Sequence, residues 1–299
     1  MQNSPPDPPP AVHPSVNGLR TTLIGILANF VLAVIKGLAG LFGNSYALVA
    51  DAIESASDIF SSLVVWTGLK VASKAPDEDH PYGHGKAEPL AAMVVAILLI
   101  GAAILIAIQS VENILTPHQV PAPFTLLVLG GGILVKEVLF RSVNQTGEEI
   151  NSTAVKADAW HHRSDAITSV TAFIGITIAL IGGAGYESAD DWAALIASAI
   201  IVFNALHIFK PALREIMDAA PPSELLEEIR QVALTVEGVK GLDKSFVRKM
   251  GFEYFVDLHV RVDGQLTVKE GHQIAHLVKK AILQSNSSIY DVLVHIEPA

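Results

Sequence analysis

Six apolar stretches occupy the first two thirds of the chain, and they decide what it can fold into. They run Leu19–Phe42, Tyr46–Ala72, Pro89–Leu115, Phe124–Phe140, Val155–Ala184 and Trp192–Phe209. Each reaches the roughly 17 residues that a helix needs to cross a hydrocarbon core. Inside lipid every backbone N–H and C=O must be satisfied within the segment, so each stretch is expected to be a transmembrane helix. The overall balance agrees: 51% of the residues are hydrophobic and 17% charged, where a soluble domain carries about 25% charged residues. There is no cysteine, which excludes disulfides, thiolate metal sites and thiol catalysis. A formal net charge of -10 argues against nucleic acid as a partner, since such proteins show a basic footprint.

Two of the six stretches are irregular. The fourth is interrupted by "GGG" at 130–132 and then by Lys136 and Glu137. The fifth is apolar only in its second half; it opens on "ADAWHHRSD" at 157–165. Charge in the connecting loops sets the orientation. The first loop, "GNS", carries none, the third has no Lys or Arg, and the fifth is acidic. Arg20, Lys70, Lys74, Lys86, Arg141, Lys210 and Arg214 all fall on the opposite side. The positive-inside rule then puts both termini in the cytoplasm, which agrees with an even number of spans.

The flanks read differently. Residues 1–17 contain "PPDPPP" and form a Pro-rich tail, expected to be disordered, with no basic region leading into an apolar core as a signal peptide would have. Residues 18–210 form the transmembrane domain and 211–299 a cytoplasmic domain. In the latter, "SELLEEIRQVALTV" is an amphipathic helix with Ser223 as its N-cap. "VKGLDKSFVRKMG" supplies a strand. "FEYFVDLHVRVDG" alternates, with Phe252, Tyr254, Val256, Leu258, Val260 and Val262 on one face. "TVKEGHQIAHLVKKAIL" is a second helix and "DVLVHIE" a last strand. The predicted order is α-β-β-α-β.

Ionisable groups inside a span are costly and mark pathways or sites. The second stretch holds Asp51, Glu54 and Asp58, and the fifth holds Asp158, His161 and Asp165. Glu54 and Asp58 are four apart, as are His161 and Asp165, so each helix presents a two-ligand edge. Brought together, Glu54, Asp58, His161 and Asp165 offer three carboxylates and an imidazole to a divalent cation. This N/O set suits Zn²⁺ and accepts Fe²⁺, Mn²⁺ or Co²⁺. Without metal the adjacent carboxylates cannot all stay ionised, so an entering ion must expel protons. Asp51 and Asp158 stand three residues before each pair, as supporting partners or helix-end contacts. His162 points about 100° from His161, away from the ligand edge. The two segments also echo each other, "ADAIESASD" at 50–58 and "ADAWHHRSD" at 157–165. They lie on the middle spans of two antiparallel three-span halves, the arrangement of transporters with a site between inverted repeats.

With these residues assembled, the chain resembles the cation diffusion facilitators, also called cation efflux transporters. "NSYALVADAIESASD", "DHPYGHGKAEPLAA" and "ADAWHHRSD" are similar to that family's second-helix, loop and fifth-helix signatures, and the α-β-β-α-β tail to its cytoplasmic domain. The acids-only second helix is similar to the bacterial iron/zinc-type branch. The resemblance implies a homodimer in the bacterial cytoplasmic membrane that exports a divalent metal against protons by alternating access. Zn²⁺ is the first choice of ion, with Fe²⁺, Mn²⁺, Co²⁺ and Cd²⁺ as others. No prosthetic group is expected; the metal is substrate, and also a structural ion at further sites. The resemblance places one such site at Asp77, His80 and His84, and another at the cytoplasmic dimer interface on His259, His272, His295 and Glu297. It also puts Lys86 at a position of inter-subunit salt linkage. Two other readings use the same residues. An intramembrane metalloenzyme would be expected to carry an H-E-x-x-H motif, which is absent from the sequence. A metal-sensing membrane protein without transport would not need matched ligands in two spans.

Overall fold

A computed structural model describes residues 15–42, 46–115, 123–182, 186 and 188–299. Six long helices come first: α1 (Ser15–Phe42), α2 (Tyr46–Ala72), α3 (Ala87–Leu115), α4 (Thr125–Glu149), α5 (Thr153–Gly182) and α6 (Ala189–Ile216). They correspond one to one with the six apolar stretches. Four of them, α1, α3, α5 and α6, are long and apolar enough to cross a membrane by length and composition. The other two, α2 and α4, have 27 and 25 residues. They carry charged residues within the span, Asp51, Glu54 and Asp58 on α2 and Lys136, Glu137 and Arg141 on α4.

α1 packs on α2, α3 on α6, and α5 on both α4 and α6. The centre is built from small side chains, including Ala91, Ala92, Ala96, Ala154, Ala157 and Ala205. Small residues let membrane helices approach closely, where no hydrophobic drive separates helix from lipid. Gly68 marks the tightest approach: a Cβ there would lie 2.4 Å from the Ala91 Cβ. Large apolar side chains point outward instead, among them Leu27, Phe30, Leu105, Leu127 and Ile181. This inside-out polarity is that of a bundle solvated by lipid.

The remaining elements are α7 (Ser223–Leu234), β1 (Gly241–Met250), β2 (Glu253–Val262), α8 (Val268–Ser285) and β3 (Ile289–Pro298), in the predicted order. The sheet runs β1-β2-β3, antiparallel between the first two and parallel between the last two. Tyr254, Val256, Leu258, Val260 and Val262 face a core shared with Ile229, Val278 and Ile282 of the two helices. Phe252, just before β2, is buried with the membrane domain instead. The start of α7 differs from expectation. Pro222 is its N-cap residue, and Ser223 is already helical without a side-chain cap bond. Pro222 has an extended ψ of 145°, which ends the preceding segment without help from a hydroxyl. α1 begins at Ser15, and residues 1–14 of the Pro-rich tail lie outside those described. The first and third loops, residues 43–45 and 116–122, and most of the fifth also lie outside them.

The two parts meet at the basic end of the bundle. The Lys249 ammonium donates to the Asn151 carbonyl (2.9 Å) and to Glu215 Oε2 (3.1 Å). Glu215 Oε1 accepts from the Gly251 N–H at 3.0 Å. Burial pulls the Lys249 pKa down, but the Glu88 and Glu215 carboxylates outweigh it and the net shift is upward. Lys86 reaches Asp218 of the same chain at 2.7 Å. Gly251 has φ +67°, and a Cβ there would lie 2.8 Å from the Gly85 carbonyl oxygen. Only glycine allows both that conformation and that approach.

Candidate metal centre in the membrane bundle

The start of α5 is fixed by a buried carboxyl group. Glu88, fully buried on α3, accepts from the Ser152 hydroxyl at 2.5 Å and from the Ala154 N–H at 2.6 Å. A carboxyl oxygen there satisfies a free helix-end N–H. From that anchor, the first turns of α5 carry Asp158, His161 and Asp165 toward α2.

Asp58, His161 and Asp165 converge: one ligand atom from each lies within 4.8 Å of the others. His161 Nε2 is 3.1 Å from Asp58 Oδ1 and 3.9 Å from Asp165 Oδ2. Asp58 is 4% exposed and His161 8%. The side chains of Glu54 and Asp51 lie outside those described. Asp158 is buried beside the cluster, where its Oδ1 accepts from the Ser62 hydroxyl at 2.7 Å. His162 is fully buried but turned away, with Nε2 4.0 Å from Asp158 Oδ2. Arg163, next to the pair of histidines, reaches Glu137 at 2.8 Å and lies over the Phe140 ring.

A fourth group occupies the cluster. Lys136 of α4 places Nζ 2.6 Å from Asp58 Oδ2 and 2.8 Å from Asp165 Oδ2. In the sequence this residue registered only as an interruption of the fourth stretch. A lysine in a span needs a partner as much as an acid does, and that was the available signal.

Two further clusters lie on the domain surfaces. In the loop after α2, the Asp77 Oδ1 accepts from the His80 N–H at 2.7 Å and lies 3.1 Å from His80 Nδ1. His84 Nε2 is 3.4 Å from the other oxygen. The His80 backbone bond, with further help from both imidazoles, holds the Asp77 carboxyl below its ordinary value. On the sheet, His259 and His295 are register neighbours on β2 and β3, and Glu297 Oε1 lies 2.6 Å from His259 Nδ1 and 3.8 Å from His295 Nε2. The His259 hydrogen bond lowers the Glu297 pKa. His272 does not join this group. It lies on α8 with Nε2 3.1 Å from His276 Nε2, one helical turn away.

Comparison with known proteins follows these divisions. Residues 22–217 match the model described as cation efflux transmembrane domain, and residues 221–299 that of the cation efflux protein, cytoplasmic domain. The manganese efflux system protein MneP of Bacillus subtilis is 33% identical over 283 residues, covering 93% of this chain and 95% of MneP. The magnetosome protein MamB of Magnetospirillum gryphiswaldense is 31% identical, covering 91% of each. Metal tolerance protein C1 of Arabidopsis thaliana is 32% identical over 96% of this chain, which spans 64% of that protein. With an integral membrane bundle, a cytoplasmic dimerisation-type domain and matches over nearly its whole length, the chain belongs to the cation efflux family of divalent metal transporters.

Proposed function

We propose that this cation efflux protein exports a divalent metal from the cytoplasm in exchange for protons, by alternating access through Glu54, Asp58, His161 and Asp165. The observation that carries the reading is the convergence of Asp58 on α2 with His161 and Asp165 on α5, buried in the bundle. A metal binding there must find its ligands deprotonated, so its entry releases protons and their return favours its release. Both termini face the cytoplasm of a bacterial membrane in this reading, and a homodimer is the working unit. The basic helix ends support that orientation, since Lys86 lies at the same end as β1. Asp77, His80 and His84 offer a structural ion two imidazoles and a carboxylate, as do His259, His295 and Glu297. Both are donor sets that suit a zinc-like cation.

Zn²⁺ fits the transport ligands by type. Mn²⁺ stands beside it because oxygen donors suit that ion and because a 33% identical relative is named a manganese efflux protein. The test is flux into proteoliposomes with an imposed pH gradient, run with Zn²⁺, Mn²⁺, Fe²⁺, Co²⁺ and Cd²⁺ in competition. The wild type should exchange metal for protons. Asp58→Ala and Asp165→Ala should lose at least about 2 orders of magnitude of rate, as expected when about 3 kcal/mol of ligand interaction is removed. Normal flux in both variants would sink the site; metal flux that ignores the pH gradient would sink the antiport.

A further inference from the structure

The metal-ligand cluster contains a cation of its own. Lys136 Nζ lies between Asp58 Oδ2 and Asp165 Oδ2, within 2.8 Å of both, and the residue is 3% exposed. Those two oxygens come from α2 and α5, the two helices that supply the cluster. A divalent ion held by the same two carboxyl groups would bind at about 2.0–2.2 Å for zinc, and through the Asp165 Oδ2 and Asp58 Oδ2 atoms it would need the place the ammonium fills. The ammonium and the metal therefore compete for one position. The other charges on α4 are committed elsewhere: Glu137 pairs with Arg141 and Arg163.

We infer that Lys136 is a tethered counter-cation that occupies the transport site when metal is absent and is displaced by the arriving ion. This rests on the transport reading above and adds what sets the affinity and the resting state of that site. Two aspartates facing each other in a water-poor bundle carry a large desolvation cost unless paired. The lysine supplies the pair without leaving the protein, because its charge ends a flexible four-carbon stem. The charges support displacement by a divalent ion in particular. Once Lys136 has withdrawn, Asp58 and Asp165 carry a formal charge of minus two, which one M²⁺ neutralises. A monovalent ion leaves the set anionic while it still has to break both lysine bonds.

The consequence is a metal affinity lower than the ligands alone would give. Binding must first draw the lysine out of its ion pairs, so the observed dissociation constant is the intrinsic one divided by the fraction of molecules with the site open. Weak holding favours release on the far side. Without the lysine, the protein should bind metal tighter and turn over more slowly.

Mn²⁺ binding to the purified full-length protein, followed by electron paramagnetic resonance, tests this. The transport site is taken as the component lost in Asp58→Asn, which separates it from the two surface clusters. Lys136→Gln should tighten that component at least about tenfold, the scale set by close charge pairs, and should lower both KM and the maximal flux. The chain has no cysteine, so Lys136→Cys gives a single thiol. Aminoethylation of that thiol restores an ammonium and should return the affinity toward wild type, while a methyl cap should not. Mn²⁺ is the probe because sulfur is a poor ligand for it. Unchanged or weaker binding in both neutral variants, with wild type showing the Asp58-dependent component, would overturn the inference and leave the transport reading standing. So would failure of both neutral variants to fold while Lys136→Arg folds, since Lys136 would then be a fixed strut. Absence of any Asp58-dependent binding or flux in the wild type would remove the transport reading, and this inference with it.

Discussion

At the scale of single residues, the buried polar groups of the bundle sort by whether they find partners. Lys36, in the C-terminal part of α1, donates to the Ser55 hydroxyl at 2.9 Å. Asp158 is held by Ser62 through one oxygen, and its other oxygen is buried with no hydrogen-bond partner among the described residues. Ser62→Ala therefore strips a buried carboxylate of its hydroxyl donor. It should cost about 1–3 kcal/mol of stability, read as a lower melting temperature in detergent, and Ser62→Thr should restore most of it. A loss no greater than that of a surface serine would show that Asp158 is sustained by something else. Asp58, His161 and Asp165 were legible in the sequence because helical spacing fixes which residues share a face. Lys136 was not, because no ionisable residue stands three or four positions from it on α4 to mark a face. Its meeting with Asp58 and Asp165 depends on how three helices pack.

At the scale of elements, individual bonds fix where helices begin. α8 opens on a full capping box. The Thr267 hydroxyl accepts from the Glu270 N–H, and the Glu270 carboxylate accepts from the Thr267 N–H at 2.8 Å. Thr267→Ala should cost about 1 kcal/mol, measured as faster amide hydrogen exchange in the first turn of α8. The box also has a pH signature. The Thr267 backbone bond, then its hydroxyl, hold the Glu270 pKa below its ordinary value. A depressed carboxyl contributes stability that is complete above the unfolded value and disappears as pH falls through the folded one. The cap should therefore weaken only in that acidic window, and Glu270→Gln should keep the box while removing that pH dependence. Persistence of the same acid-induced fraying in Glu270→Gln would assign it to another group. The sequence anticipated both helices of this domain from their amphipathic patterns. It misplaced the cap of α7 because a serine beside a proline looks like an N-cap, whereas the fixed proline backbone alone starts that helix.

At the scale of the whole molecule, the site and the cytoplasmic domain are joined through Glu215 at the end of α6. Its carboxylate accepts from Gly251, from Lys249 and from Thr153 at the start of α5. The β1–β2 turn, α6 and the helix bearing His161 and Asp165 thus share one buried carboxylate. Glu215→Ala leaves Lys249 without its carboxylate partner in a largely buried setting, a loss of about 3–5 kcal/mol. Hydrogen exchange across residues 247–256 should speed up, and Lys249→Met added to Glu215→Ala should cost less than the two losses summed. Strict additivity would show that the two side chains do not act as a pair. The sequence by itself determined the membrane bundle, the α-β-β-α-β domain and which ionisable residues share one edge of α2 and one edge of α5. Those follow from hydrophobic length and from periods of 3.6 and 2, which are local properties of the chain. The tertiary structure decided that Lys136 sits between Asp58 and Asp165, that His272 stands apart from His259 and His295, and that Glu215 ties the two domains together. Each of these is a meeting of groups distant in the chain, set by the packing of elements, and no local pattern encodes it.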